Sequence, residues 1–369
     1  MKHRTMTMFN QGMCIFRPLL NQLALLIVLL TSSGAIFADP IKVPQVNSEA
    51  FATQPLQLAN GITGTLFTFT SHSPNDYRDI INGKLGPAAE LSAQLFMPKS
   101  TTSSPVPVVI INPGSGNIGP HHLNHAVTLS SAGIAAFVID PFYVRGITDT
   151  ITDQGQLSFA ASTYDVLAAV VKLRHDPRID ASRIGATGGS RGGTAVMIAI
   201  AAPLSKVVLG DGPEIRAVMA GYPWCGVQFH QPKLVKGASL LVMHGDKDDW
   251  VSPQQCQGAV QALLNGGSDA LMMMFPGALH AFDRAGVSPT EIPHAMSLIN
   301  FPTLYINNHG QYYNMRSGKM EPSLTGLDLF TYAATAGFIK KGVHIGSSGN
   351  QAADYTQEML SFFKTRLNK

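Results

Sequence analysis

The sequence predicts an α/β fold in which a largely parallel sheet carries helices on both faces. Three observations indicate it. Short apolar segments alternate with helical patterns from about residue 90 to about residue 280. A strand, a glycine-rich turn and a small-residue helix follow one another within 183–203. Hydrophobic residues make up 45% of the chain, which is ample for a large core. Such alternation is typical of parallel sheets that are covered on both sides.

Eight segments have the apolar pattern of strands and five have the pattern of helices. The strand candidates are 62–70, 90–97, 106–112, 134–140, 183–188, 215–220, 239–244 and 271–275. The helical patterns lie near 120–132, 157–174, 193–203, 253–265 and 352–366. Residues before about 88 are expected to form an antiparallel start of the sheet.

The first 38 residues have the composition of a secretory signal peptide. Basic Lys2 and Arg4 precede an apolar stretch, and Ala38 is the small residue at the expected cleavage point. The apolar stretch is shorter than the roughly 20 residues of a membrane-spanning helix. We therefore expect residues 1–38 to be removed, and a periplasmic or secreted protein that begins near Asp39 and has no membrane attachment. An uncleaved anchor is the alternative.

Residues 39–369 are expected to form a single domain, since no repeat or low-complexity linker divides them. The net charge is +3 and charged residues make up only 13% of the chain, without a basic run interleaved with aromatic residues, so nucleic acid is not an expected partner. The sequence carries no indication of the oligomeric state. An extra segment at about 284–350, rich in Gly, Asn, Tyr and Phe, precedes the closing helix 352–366. It could wall the active site or be a structural extension.

The segment Gly188-Gly189-Ser190-Arg191-Gly192 has the G-x-S-x-G pattern between a strand and a helix. In that context the pattern predicts a nucleophile elbow, a sharp turn that lifts one serine hydroxyl above the sheet edge. Side chains at the first and last of these positions would collide as the strand reverses into the helix. Ser190 is therefore the candidate nucleophile.

A serine nucleophile needs a base and an acid that follow it along the chain in the order Ser, Asp, His. The strand at 239–244 runs into a loop with three carboxylates, of which Asp248 is the candidate acid. Asp246 is the second choice and is expected to brace the turn, while Asp249 is expected to be solvated. His280, in the loop after the next strand, is the candidate base.

Donors for an oxyanion are expected from two backbone N–H groups. The first belongs to Arg191, directly after the nucleophile, and the second to Ser115, in the glycine-rich loop after the strand at 106–112. Arg145 follows the end of the strand candidate at 134–140. It could hold a substrate carboxylate, or it could be tied to backbone carbonyls.

Four segments resemble the dienelactone hydrolase-like branch of the α/β-hydrolases, and they are 140–146, 176–193, 244–248 and 276–282. The resemblance covers roughly residues 88–283 and the last helix. It implies an α/β-hydrolase fold with a mostly parallel eight-stranded sheet, and a triad of Ser190, Asp248 and His280. Dienelactone hydrolases proper carry a cysteine at the elbow, so the serine here favours ordinary ester hydrolysis over a lactone.

The function that these observations predict is an exported serine hydrolase that cleaves small-molecule carboxylic esters without a cofactor. A peptidase or acyltransferase with the same triad is the alternative among enzymes, and a non-catalytic ligand-binding protein is the alternative outside them. His121, His122 and His125 could suggest zinc, but no further ligand completes a site, so no metal is expected.

Cys225 and Cys256 remain after removal of the signal peptide. Export would place them where a disulfide persists. They are expected in neighbouring layers, so either a bridge or two buried free thiols is consistent with the sequence.

Overall fold

The structure, a computed structural model, describes residues 45–99, 105–212, 214–314 and 317–368. The predicted signal peptide lies outside these ranges and stays a prediction. None of the helices within them has both the length and the apolar character that crossing a bilayer requires.

Eight strands form the central sheet, and a ninth, short strand stands apart from it. In chain order they are β1 (Thr65–His72), β2 (Ala88–Phe96), β3 (Val106–Asn112), β4 (Ala135–Asp140), β5 (Ile179–Gly189), β6 (Ala217–Gly221), the separate β7 (Val227–Phe229), β8 (Ser239–Gly245) and β9 (Asp269–Phe275). The order across the sheet is β1-β2-β4-β3-β5-β6-β8-β9. β2 is antiparallel to both of its neighbours, and all the other pairs are parallel. The mostly parallel eight-stranded sheet predicted from the sequence is confirmed.

The helices of the described residues are α1 (Ser48–Thr53), α2 (Tyr77–Ile81), α3 (Pro120–Ser131), α4 (Phe159–Leu173), α5 (Arg191–Ala199), α6 (Ala202–Leu209), α7 (Pro253–Asn265), α8 (Gly326–Thr335) and α9 (Gln351–Leu367). The single helix expected at 193–203 is wrong, because two helices share that stretch. Pro203 is the reason. It lacks an N–H and fits only the first turn of a helix, so α5 ends and α6 begins around it.

The core lies on both faces of the sheet because consecutive strand residues point to opposite sides. On β3, Val108 and Ile110 belong to one buried cluster, together with residues of α4, α5 and α7. Val109 and Ile111 belong to another cluster, with residues of α3 and α9. A sheet buried on both faces explains the continuous apolar runs of the strands.

The extra segment predicted at about 284–350 is folded. It contains β10 (Thr290–Ser297), β11 (Leu304–Ile306), β12 (Tyr312–Asn314), β13 (Lys319–Glu321) and β14 (Lys340–Ile345), and α8 lies between the last two. β10 pairs with β14, and β11 pairs in parallel with β7 from the main body. The segment is therefore joined to the rest of the fold by backbone hydrogen bonds.

Cys225 and Cys256 form a disulfide, with their Cα atoms 5.0 Å apart. Cys225 lies in the stretch after β6, and Cys256 lies in the first turn of α7. Of the two alternatives that the sequence left open, the structure contains the bridge.

Candidate active site

Ser190 is the single residue that connects β5, which ends at Gly189, to α5, which begins at Arg191. Its backbone has φ 55° and ψ −123°, a conformation that is costly for a residue with a side chain. Two hydrogen bonds hold this turn: the Ser190 N–H donates to the Gly221 carbonyl at 2.9 Å, and the Ser190 carbonyl accepts from the Thr194 N–H at 2.9 Å. The side chain of Ser190 is half-buried at the carboxyl edge of the sheet.

The glycines around Ser190 are required by close backbone contacts. A Cβ at Gly188 would lie 2.5 Å from the Asn112 carbonyl oxygen, and one at Gly192 would lie 2.1 Å from the same oxygen. Both distances are too short for any side chain. The turn is therefore pressed against the end of β3, which brings the loop after β3 next to Ser190.

A continuous chain of hydrogen bonds joins Ser190, His280 and Asp248. The distance from Ser190 Oγ to His280 Nε2 is 2.9 Å, and the distance from His280 Nδ1 to Asp248 Oδ2 is 2.7 Å. Ser190 follows β5, Asp248 follows β8 and His280 follows β9, so three parallel strands deliver the three groups to one edge of the sheet. The structure thus brings together the three residues that the sequence singled out.

The buried carboxylate of Asp248 is fully engaged. Oδ1 accepts from the backbone N–H groups of Trp250 at 2.9 Å and Val251 at 3.0 Å, while Oδ2 faces His280. Burial opposes ionisation, but the charge of His280, its hydrogen bond and nearby His244 outweigh it and hold the pKa of Asp248 below its ordinary value. A charged carboxylate at this place can orient an imidazole and stabilise its protonated form.

The other two carboxylates of the acid loop are used elsewhere. Asp246 Oδ1 accepts from the Gly277 N–H at 2.6 Å and so braces the turn. Asp249 is partly exposed, and it accepts from both the backbone N–H and the imidazole Nδ1 of His344 at 2.8 and 2.7 Å. Neither of them contacts His280 in the described part of the chain.

The two predicted oxyanion donors stand beside Ser190. Ser115 lines the same small pocket as Ser190, and the preceding Gly114 is so close that a Cβ there would lie 3.4 Å from the Cβ of Ser190. The N–H of Arg191 is in the first turn of α5, where a helix leaves its N–H groups without intrahelical partners. The role of both amides as oxyanion donors stays a prediction.

The side chain of Arg145 is bound within the protein, which favours the second of its two sequence-based interpretations, a residue tied to backbone carbonyls, over a substrate contact. Its guanidinium forms a bidentate pair with buried Asp165, both distances being 2.8 Å. The remaining contacts are to the carbonyls of Pro141 and His72 and to the hydroxyl of Ser73. These partners account for the donors that the side chain carries, so none is left for a substrate carboxylate.

The pocket around Ser190 is small, with a volume of about 20 Å³, close to the space of one water molecule. Besides Ser190, His280 and the loop at 114–116, its lining includes His121, His122, Tyr222, Trp250, Ile292, Ile345 and Arg284. Arg284 is its cation, and the Nε of Arg284 is buried without a hydrogen-bond partner among the described residues. Arg284 was not among the residues predicted from the sequence, although a lone cation four residues after His280 in the same loop is a signal for it.

A larger cleft of about 1290 Å³ is lined by neither Ser190 nor His280. Phe301 and Phe330 from the extra segment line it together with Trp224 and Phe159 of the main body. Tyr312 is the third aromatic residue of the extra segment that lines this cleft.

The three histidines on α3 are buried close to one another. Burial is the main cause that lowers the pKa of His121 and His122 well below the ordinary value, with neighbouring histidines and Arg284 acting in the same direction. His125 Nε2 lies 3.6 Å from Asp283 Oδ2. No group of three or more potential ligands with the geometry of a metal site occurs in the described ranges.

Comparison with known proteins identifies one family. The model of the dienelactone hydrolase family matches residues 91–296, a span that contains Ser190, Asp248 and His280. Two curated proteins are distant relatives. The uncharacterized peptidase YuxL of Bacillus subtilis is 25% identical over 208 residues, which are 46% of this chain and 30% of that protein. The chain thus spans less than a third of that relative.

The second relative is a probable 2-oxo-3-(5-oxofuran-2-ylidene)propanoate lactonase of Bradyrhizobium. It is 24% identical over 227 residues, which are 58% of this chain and 88% of that protein. Among solved structures, a thermophilic esterase of Thermogutta terrifontis with bound propionate has a TM-score of 0.43 and 17% identity, and the match covers 53% of this chain and 82% of the esterase.

Proposed function

Because this chain belongs to the dienelactone hydrolase family and is a hydrolase of the α/β-hydrolase fold, we propose that it is a serine hydrolase that cleaves small-molecule carboxylic esters. The observation that supports the proposal is the hydrogen-bonded chain from Ser190 through His280 to Asp248, at 2.9 and 2.7 Å. Each partner in it suits one step of acyl transfer.

In the first half of the reaction, Ser190 Oγ attacks the acyl carbon while His280 Nε2 takes the hydroxyl proton. The amides of Arg191 and Ser115 donate to the oxygen that becomes negatively charged. The protonated imidazole then gives its proton to the leaving alkoxide, which departs as the alcohol. An acyl group remains on Ser190.

In the second half, water takes the place of the alcohol. His280 removes a proton from the water as it attacks the acyl carbon, and returns that proton to Ser190 Oγ as the acid leaves. Asp248 keeps its charge throughout and stabilises the imidazolium.

The small pocket next to Ser190 favours a short acyl group over a long one. The serine at the elbow, where dienelactone hydrolases proper carry a cysteine, favours an ordinary ester over a lactone. Peptide hydrolysis or acyl transfer to an alcohol would use the same residues. Product analysis with a competing alcohol or a peptide substrate separates these activities from ester hydrolysis.

A fluorophosphonate probe tests the proposal directly. Wild-type protein should be labelled at Ser190 and should hydrolyse chromogenic esters of short acids. Ser190→Ala should lose both. Ser239→Ala is the matched control and should keep both the labelling at Ser190 and the ester hydrolysis. Ser239 is a buried serine at the start of β8, away from the edge of the sheet that carries Ser190, and its hydroxyl donates to Asp269. If folded wild-type protein is neither labelled nor active on any ester, the hydrolase proposal fails in favour of a ligand-binding protein.

We also propose that the protein is exported, because residues 1–38 combine basic, apolar and small residues in the order of a signal peptide. The test is N-terminal sequencing of protein recovered from outside the cytoplasm. A start near Asp39 supports the proposal, and a chain that keeps Met1 in the membrane fraction supports an anchor.

A further inference from the structure

Arg191 follows Ser190 directly, and its side chain is buried without a directly paired carboxylate among the described residues. The residue is 2% exposed, and its guanidinium lies over the ring of Phe159, 4.3 Å from the centroid. Within the described part of the chain it takes part in no ion pair. A desolvated guanidinium without a carboxylate is unfavourable, so its hydrogen bonds must compensate.

All of those hydrogen bonds end in one stretch, residues 150–157, between β4 and α4. Nε donates to Thr150 Oγ1 at 3.1 Å, and Nη1 donates to the Leu157 carbonyl at 2.6 Å. Nη2 donates to both the carbonyl and the side-chain Oε1 of Gln154, at 2.9 and 2.6 Å. The planar fork of Arg191 therefore fixes three points of a stretch that has little regular structure of its own.

The same stretch holds the loop that carries the second predicted oxyanion donor. The Thr150 N–H donates to the Ser115 carbonyl at 2.9 Å, and Ser115 Oγ donates to Gln154 Oε1 at 3.2 Å. Thr150 and Gln154 thus contact Arg191 on one side and Ser115 on the other. Because the Ser115 carbonyl and the hydroxyl are both held, the residue has little freedom to turn its amide away from Ser190.

We propose that the Arg191 side chain is a positioning residue that holds the Ser115 amide in the oxyanion site through Gln154 and Thr150. One residue then serves both halves of that site, supplying one donor from its own backbone and setting the other through its guanidinium. The inference rests on the proposed function, since it assigns a role within the same reaction.

The first experiment compares Arg191→Met and Gln154→Leu with wild type. A displaced oxyanion donor weakens transition-state binding more than substrate binding, so kcat should fall by about 10²-fold for Arg191→Met while KM stays within about threefold. The affinity for a trifluoromethyl ketone, whose adduct places an oxyanion in the site, should fall in parallel. Arg191→Lys keeps the charge but not the planar fork of N–H donors, so its kcat should stay below about a tenth of the wild-type value.

Two controls separate positioning from mere stability. Arg174→Met removes an arginine that donates to the Leu209 carbonyl at 3.1 Å, away from residues 150–157, and should leave kcat within about twofold. The double variant Arg191→Met/Gln154→Leu should have nearly the same kcat as Arg191→Met, because both changes interrupt the same hydrogen-bonded path to Ser115. Losses that multiply would overturn the route through Gln154.

The second experiment does not depend on activity. Hydrogen exchange of backbone amides at 112–117 and 150–157 should become at least tenfold faster in Gln154→Leu, and in Arg191→Met if that variant folds, with no change in β8 or β9. Unchanged exchange at 112–117, or a folded Arg191→Met variant with wild-type kcat, overturns the inference. If wild-type protein itself is inactive and unlabelled, the proposed function fails, and the exchange result still decides whether Arg191 holds the Ser115 loop.

Discussion

Asp248 determines which ring nitrogen of His280 faces Ser190 without a proton. One carboxylate oxygen accepts two backbone N–H groups and the other faces His280 Nδ1 at 2.7 Å. A carboxylate whose pKa is held low is charged at neutral pH and can only accept, so the proton of the neutral imidazole must sit on Nδ1. Nε2 is then left with its lone pair toward Ser190 Oγ, which is what a general base requires.

We predict that Asp248→Asn lowers kcat by about 10⁴-fold without unfolding the protein, because an amide can donate to Nδ1 and favours the wrong tautomer. Asp246→Asn is the matched control. Asp246 bonds the Gly277 N–H and lies in the same loop, so that variant should lose far less activity. Ester turnover and circular dichroism of the two variants decide the matter. Equal losses in two folded variants would contradict the assignment of the acid.

Arg284 is the cation of the pocket that contains Ser190, and its Nε has no partner in the described ranges. Since a charged hydrogen bond contributes about 1.5–3 kcal/mol, we predict a preference for esters that carry a carboxylate. Arg284→Leu should lower kcat/KM for such an ester by about tenfold or more, and for a neutral ester of equal size by less than about threefold. Equal effects on both esters would show that Arg284 does not select anions.

Helix α3 makes stability depend on pH through His121, His122 and His125, which are all buried. Burial lowers the pKa of each in the folded protein, whereas the unfolded chain binds protons near pH 6.5. Their neutral forms thus favour the fold at high pH, and this contribution is lost as the pH falls below about 6.5.

We predict that the free energy of unfolding falls between pH 7 and pH 5 by up to about 1.4 kcal/mol per pH unit for each of these histidines. Thermal melts across that range measure the slope. His125→Gln should flatten it, and His175→Gln, at an exposed position, should leave it unchanged. A wild-type slope equal to that of His125→Gln would contradict the prediction.

The disulfide Cys225–Cys256 fastens the stretch after β6 to α7 across a sequence separation of 31 residues. In the chain-entropy model, closing such a loop stabilises the fold by about 3.7 kcal/mol. We predict a loss of that size in denaturant unfolding of Cys225→Ala/Cys256→Ala, and a similar loss on reduction of wild type. Thiol labelling of unreduced, unfolded mature protein should find no free cysteine. Two labelled cysteines would exclude the bridge.

Elements whose own residues have an apolar or periodic pattern were predictable from the sequence. Elements whose conformation depends on contacts with distant parts of the chain were not. The eight strands of the sheet are apolar runs that any buried parallel sheet requires, and each was located to within a few residues. Residues 150–157 have no periodic pattern, and their hydrogen bonds with Arg191 and Ser115 join them to distant parts of the chain. The short strand β11 pairs with β7, which lies about 75 residues upstream of it in the chain.

At the scale of the whole molecule, the topology explains why the triad could be predicted and the pocket could not. β3, β5, β8 and β9 run in parallel, so the loops after them meet at one edge of the sheet wherever their sequences lie. Chain order and strand ends therefore sufficed for Ser190, Asp248 and His280. Part of the pocket wall, Ile292 and Ile345, comes from the extra segment, whose position depends on its packing against the main body.

The extra segment meets the site through Ile292 on β10 and Ile345 on β14, which line the pocket with Ser190. Ile345 also forms a β-bridge with His280, and the Gly346 N–H donates to the His280 carbonyl at 3.0 Å. The segment thus packs against the loop of the predicted base. These contacts favour the first of its two sequence-based interpretations, a wall of the site.

We predict that shortening Ile292 changes substrate selectivity while the triad stays intact. Ile292→Ala should raise the ratio of kcat/KM for butyrate over acetate esters by about tenfold, because the removed methyl groups leave room for a longer acyl chain. Ile292→Val should shift the ratio in the same direction by less and guards against loss of stability in the larger truncation. Leu327→Ala is the matched control, since Leu327 is 74% exposed on α8 of the same segment. Fluorophosphonate labelling should remain unchanged in all three variants. If folded Ile292→Ala ranks the esters as wild type does, the segment is a structural extension and selectivity is set by the main body.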